Sequence, residues 1–179
     1  ETDEAFEIIH NVSALTHAHK RSQIACGIYV SVASALMDGT DPEIAVETGI
    51  HRAVDHYRSH PGFSRELHHY ERLTRKDFSE LDEAEIRSTG YVVDTLEAAI
   101  WCLLRTDSFR DCVLKAVNLG GDTDTVAAVA GGLAGLYYGY ESIPDDWLSV
   151  IAKRDYVESL CNQLYEAFGK STTRNYADI

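Results

Sequence analysis

The chain has 179 residues, 45% of them hydrophobic, and a formal net charge of -13. That length and apolar content support one folded domain with a buried core and exclude a disordered chain. The negative charge excludes attraction to nucleic-acid phosphate backbones or anionic lipid; an anionic ligand would need a metal, a helix N-terminus or a basic pocket.

Ala5, Ile8, Ile9, Val12 and Leu15 recur at helical spacing, which predicts a helix over 3–15. Thr16-His17 interrupts it, and Ile24, Ile28, Val32, Ala35 and Leu36 mark a second helix over 18–37. In Asp38-Gly39-Thr40-Asp41-Pro42 the glycine suits a C-cap, Asp41 an N-cap and Pro42 a first helical turn, so a third helix runs to about Arg58. Ser59-His60-Pro61-Gly62 is a turn. The charged stretch 59–90 is expected to be the most exposed and least regular part, with helical fragments near 64–76 and 82–87.

After Gly90, apolar residues keep helical spacing to Leu104. Thr106-Asp107-Ser108 caps a helix over 108–118, and Asn118-Leu119-Gly120-Gly121 ends it. The helix from Val126 to Tyr138 is rich in Ala and Gly, which weakens it in isolation and argues for close packing in a bundle. Gly139 ends it, Ile143-Pro144 opens a short helix to about Ile151, and 155–168 forms the last one before a polar tail from Lys170. No repeat or alternating strand pattern occurs, so the predicted fold class is all-α.

Cys26, Cys102, Cys112 and Cys161 sit among apolar or small neighbours without a CxxC pair, and read as reduced core residues of an intracellular, cytoplasmic protein. In such surroundings none is an activated nucleophile. No apolar run is long enough to span a membrane. His51 and His56, and the adjacent His68 and His69, are expected mostly at the surface. No HExxH occurs, and Asp55-His56 is the reverse of the His-Asp pair that a phosphohydrolase centre of that type uses. The charged run 64–87 is either a solvated face or a contact for a protein substrate.

The chemistry concentrates at Asp122-Thr123-Asp124-Thr125. Two carboxylates two positions apart with a neighbouring hydroxyl supply the oxygen donors that Mg²⁺ or Mn²⁺ prefers, and Gly120-Gly121 lets the backbone turn tightly enough for them to converge. Asp and Thr are equally at home as N-caps at the positive end of a helix, so metal ligation and capping both remain open.

The run Asn118-Leu119-Gly120-Gly121-Asp122-Thr123-Asp124-Thr125, continued by the small-residue helix to Gly139, resembles the C-terminal signature of the ADP-ribosylglycohydrolase family. Leu15-Thr16-His17 upstream, Gly90-Tyr91-Val92-Val93-Asp94-Thr95 before the signature, and Ile143-Pro144 with Trp147 after it fit in the same order. The subgroup it is most similar to resembles dinitrogenase-reductase-activating glycohydrolase. The resemblance implies a multi-helix orthogonal bundle, a binuclear Mg²⁺ or Mn²⁺ centre, and hydrolysis of the glycosidic bond between ADP-ribose and its acceptor on an ADP-ribosylated protein or ADP-ribose conjugate. It makes Asp122, Asp124 and Thr125 metal ligands. The subgroup alone favours arginine as the acceptor over serine, O-acetyl-ADP-ribose or another N-glycoside.

The resemblance also places His17 and Tyr91 at the substrate cleft. The alternative for His17 is a helix-capping or partly buried histidine, and for Tyr91 an ordinary core tyrosine. Gly120 and Gly121 either present backbone N–H groups to a phosphate or ribose, or serve only the turn.

The family's N-terminal half carries a Thr-Asp-Asp metal motif and the acidic residue implicated in acid–base work, and neither occurs here; Thr2-Asp3-Glu4 lies on the wrong side of Thr16-His17. With Glu1 rather than Met in first place, residues 1–179 are expected to be the C-terminal part of one such domain, with its N-terminal part absent. Little or no hydrolase activity is expected of it alone, and a second chain or self-association would complete the domain. The alternative is a non-catalytic ADP-ribose-binding or regulatory module that keeps Asp122 and Asp124 without the acid–base residue.

Overall fold

Helices α1 (Asp3–Ala14), α2 (Lys20–Met37) and α3 (Pro42–Arg58) follow the predicted spacing closely in a computed structural model that describes residues 3–168. A single helical turn, α4 (Pro61–Ser64), precedes three 3-10 turns at Leu67–Thr74, Phe78–Glu80 and Glu83–Glu85. Then come α5 (Val92–Leu104), α6 (Phe109–Asn118), α7 (Thr123–Tyr138) and a 3-10 turn at Tyr140–Ser142. The chain up to Ser142 forms one compact unit; α8 (Asp145–Ser149) and α9 (Arg154–Phe168) belong to a second that starts at Ile143. No strand occurs among the described residues, and the polar tail from Lys170 lies outside them.

The caps explain the boundaries. Asp41 accepts from the Glu43 N–H at 3.0 Å with Pro42 in the first turn of α3, and Ser108 accepts from the Asp111 N–H at 3.0 Å at the start of α6. In the first unit α5 is central: every residue from Val93 to Leu103 is buried, Asp94, Thr95 and Glu97 among them. α2 and α3 pack through Ile24, Ile28, Val32, Ile50 and Tyr57. The small residues of α7 admit its neighbours: the Tyr29 hydroxyl of α2 occupies the space that a side chain at Gly132 would need.

The stretch 59–90 corrects the sequence reading. It is irregular, yet Tyr70, Leu73, Phe78, Leu81 and Ile86 are buried in it. The Tyr70 hydroxyl donates to the Arg21 carbonyl at 2.6 Å, the Trp101 indole donates to the Leu81 carbonyl at 3.1 Å, and Arg72 turns inward to within 3.5 Å of buried Glu97. Successive 3-10 turns bury side chains at uneven intervals, so no single period marks them. Among the cysteines, Cys102 and Cys112 are buried as expected, but Cys26 is half-buried and Cys161 is exposed on α9, whose apolar neighbours Leu160 and Leu164 are exposed too.

The histidines also divide. His51 and His68 are exposed, whereas the His56 side chain is only 11% exposed and stacks on Phe6 with ring centroids 3.8 Å apart. His60 faces His56 at 4.5 Å, and His10 of α1 stacks on Phe63 with its Nε2 2.9 Å from the Tyr57 hydroxyl. Burial and nearby Lys20 lower the His10 pKa from 6.5 to about 4, and burial beside His60 lowers that of His56 against the opposing pull of Asp3. The unfolded chain therefore takes up protons that the folded cluster refuses. Stability is full above the unfolded value of about 6.5 and falls as pH drops toward 4. Circular dichroism melts at about pH 7 and about pH 4.5 will show a lower midpoint in acid, and His10→Phe will reduce that difference. An equal acid shift in the variant would remove His10 from this account.

Candidate functional site

Two glycines build the turn between α6 and α7. Gly120 and Gly121 adopt φ of 79° and 67°, the left-handed region that favours glycine. The turn is fastened to the segment before α5: the Asp122 N–H donates to the Ser88 carbonyl at 2.7 Å, and the Ser88 hydroxyl donates to the Gly120 carbonyl at 2.8 Å. Gly121 lies so close to Ser88 that a β-carbon there would meet the Ser88 carbonyl oxygen. Gly90 comes equally near the acidic group, since a β-carbon on it would stand 2.7 Å from Asp122 Oδ2.

Asp122 holds the N-cap position of α7, but its side chain makes no capping hydrogen bond. Its Oδ1 instead accepts from the Thr125 hydroxyl at 2.9 Å. Asp124 is exposed, and its carboxyl is held below the usual range by the hydrogen bond with Asp122, then by the backbone N–H groups of Thr125 and of Asp124 itself. Two carboxyl groups and a hydroxyl thus meet on the first turn of α7. The donor set is all oxygen, which fits a hard divalent cation better than zinc or copper. Among the described residues no group of three His, Cys, Asp or Glu side chains is arranged to hold a metal ion.

An open cavity of about 520 Å³ adjoins them. Its wall includes His17 and His19 before α2, Arg21 from its first turn, Gly90 and Tyr91 before α5, and Thr125 from α7. Folding therefore brings His17, Tyr91 and Thr125, far apart in sequence, into one cavity, while Gly90 joins that wall to Asp122. His17 is exposed and caps nothing; its Nδ1 lies 3.0 Å from the Thr16 hydroxyl. His19 caps α2 instead, its Nδ1 accepting from the Arg21 N–H at 3.2 Å. Tyr91 is 39% exposed, which removes the core-tyrosine alternative. A second, mainly apolar cavity of about 540 Å³ continues along α1 past Ile8 and Val12 and shares Thr16, Cys26 and Val129 with the first.

Arg21 and Ser88 were not marked by the sequence. Arg21 looks like any arginine at a helix start, and its carboxylate partner, Glu66, lies 45 residues away. Ser88 sits in the charged stretch with no motif around it. No helix among the described residues is long and apolar enough to cross a membrane.

Comparison with known proteins bears on the whole of this arrangement. ADP-ribosylarginine hydrolase Tri1 of Pseudomonas putida is 32% identical over 154 residues, which cover 86% of this chain and 38% of the relative. Tri1 of Serratia proteamaculans is 47% identical over 89 residues, covering 50% of this chain and 24% of the relative. ADP-ribosyl-[dinitrogen reductase] glycohydrolase of Rhodospirillum rubrum is 46% identical over 63 residues, 35% of this chain and 21% of the relative. A solved ADP-ribosylglycohydrolase-related protein complex aligns with a TM-score of 0.74 at 29% identity, over 93% of this chain and 54% of that one. The chain thus spans about half, or less, of the proteins it matches. With the ADP-ribosylglycohydrolase family model matching residues 1–174, this chain belongs to the ADP-ribosylglycohydrolase family.

Proposed function

We propose that this chain contributes one wall of a metal-dependent hydrolase centre that removes ADP-ribose from modified arginine side chains of proteins. Asp122, Asp124 and Thr125 are its ligands for Mg²⁺ or Mn²⁺, and His17 and Tyr91 line the substrate side with the Gly120-Gly121 turn. The observation that carries this reading is the direction of the Asp122 side chain: it leaves the capping role open to it and turns to Thr125 and Asp124. Two carboxyl groups in contact repel one another when both are ionised, and a cation between them relieves that cost. Arginine as the acceptor rests on the Tri1 relatives, which are named ADP-ribosylarginine hydrolases.

A divalent cation held here supplies charge to polarise ribose hydroxyls and to hold a water near the anomeric carbon. The chain's own residues do the placing. Thr125 orients the Asp122 carboxylate, Ser88 fixes the turn, and Tyr91 offers a ring face and a hydroxyl to ribose or base. The other ligands and the acid–base group would have to be supplied from outside this wall.

Calorimetric titration with Mn²⁺ and Mg²⁺ tests the wall directly. Weak binding that disappears in Asp124→Ala is the expected result, together with little or no release of ADP-ribose from modified arginine by this chain alone. Tight binding lost in the same variant, or robust turnover, would show a self-sufficient centre. Binding unaffected by Asp124→Ala would end the metal assignment.

A further inference from the structure

The cavity beside Thr125 carries basic side chains in a molecule that is acidic as a whole. Among the described residues no carboxylate lines it or the apolar cavity that adjoins it, whereas one cavity along α3 sets Glu43 and Glu47 beside Arg75 and Lys76 and the other holds Asp41, Glu43 and Asp107. Its ionisable wall is cationic or neutral: His17, His19, Arg21 and Tyr91. In a chain of net charge -13, a cavity wall that holds a guanidinium and imidazoles and no carboxylate suits an anion.

Arg21 is also held in a fixed pose. Its Nε and Nη2 both donate to Glu66 Oε2, at 2.9 and 2.6 Å. The Tyr70 hydroxyl ties its backbone carbonyl, and the guanidinium lies over the Tyr91 ring, 5.7 Å from the centroid. Glu66 takes the Nε edge and is not on the cavity wall, while Arg21 is. The hydrogen bond from Arg21 holds the Glu66 carboxyl below its usual range, so the pair stays ionised at neutral pH. An arginine pinned along one edge keeps its planar fork aimed with little conformational freedom to lose on binding.

We propose that Arg21 is the residue of this site that binds the diphosphate of ADP-ribose, with Glu66 as the positioning residue that aims its guanidinium across Tyr91. This deepens the reading of the site given above and rests on it. The sugar end of the substrate then lies toward Asp122, Asp124 and Thr125, and the diphosphate toward the start of α2.

Calorimetric titrations without divalent cation test this, using ADP-ribose, adenosine as the phosphate-free control, and inorganic pyrophosphate. Losing a charge-assisted bidentate contact lowers affinity by about tenfold to a hundredfold, so Arg21→Gln will weaken ADP-ribose binding by that factor and leave adenosine unchanged. Arg21→Lys keeps the charge without the fork and will lose less. Glu66→Gln keeps the arginine and an amide oxygen to orient it, and will also lose less. If Glu66→Gln loses as much as Arg21→Gln, the pair acts structurally and the proposal fails. If Arg21→Gln binds ADP-ribose as tightly as the parent, the proposal fails while the reading of the site stands. Arg21-dependent binding of pyrophosphate without binding of ADP-ribose would leave a general anion site and overturn the proposal, while the one-wall reading of the site stands. Binding of neither would overturn the proposal, while the calorimetric Mn²⁺ titration of Asp124→Ala decides the reading of the site separately.

Discussion

Trp101→Ala will lower the unfolding free energy of the first unit by about 3–5 kcal/mol, read from urea titrations of its helical signal. Trp101 is 1% exposed in the last turn of α5, and its indole N–H is the donor to the Leu81 carbonyl at 3.1 Å. The Lys115 ammonium lies 4.8 Å from the ring centroid. Truncation empties the largest buried side chain and leaves the Leu81 carbonyl without its donor, and the two costs add. Trp101→Phe separates them. It keeps most of the buried ring and loses the hydrogen bond, so it should cost about 1–3 kcal/mol. A loss below about 1 kcal/mol for Trp101→Ala would mean that the 3-10 turns around Phe78 and Leu81 do not close over α5.

Gly90→Ala will weaken Mn²⁺ binding by about tenfold to a hundredfold while leaving the melting temperature nearly unchanged. The added methyl would stand 2.7 Å from Asp122 Oδ2, so the carboxylate must swing away from Thr125 and Asp124. Gly90 is exposed and lies outside the left-handed region, so alanine costs its backbone little. Gly121→Ala is the contrasting variant. Its φ of 67° strains any β-carbon by about 1–2 kcal/mol, and that carbon meets Ser88 as well. It will therefore lower both stability and Mn²⁺ affinity. The pair distinguishes a carboxylate that must point in one direction from a turn that must merely form. Paramagnetic-resonance titration of free Mn²⁺ reads the affinity, and a Gly90→Ala protein that binds like the parent would remove Asp122 from the ligand set.

The helices of the first unit were legible because their signals are local. The spacing of Ile24, Ile28 and Val32, the Asp41-Pro42 start and the Ser108 cap each act within one or two turns, so the order of residues suffices to announce them. The acidic cluster was legible for the same reason, since Asp122, Asp124 and Thr125 are neighbours in the chain and the two glycines before them state the turn. What the sequence left open there was whether Asp122 caps α7 or faces a ligand. That depends on one side-chain torsion: the Thr125 hydroxyl donates its hydrogen bond to the carboxylate, and Gly90, from a different part of the chain, leaves the room it needs.

Long-range packing decided the rest. Tyr70, Leu73 and Leu81 are core residues only because the 3-10 turns fold back over α3 and α5, and no periodicity in 59–90 foretells that. His56 passed for a surface histidine until Phe6 of α1 stacked on it. The cavity joins His17, Arg21, Tyr91 and Thr125 across α2, α5 and α7, and Glu66 reaches Arg21 from 45 residues away. The sequence by itself determined the helices, their caps and the oxygen donors on α7, because those follow from neighbouring residues. Which residues share the cavity wall with Thr125, Arg21 and Tyr91 among them, only the tertiary structure decided, because that depends on contacts between segments that no local pattern connects.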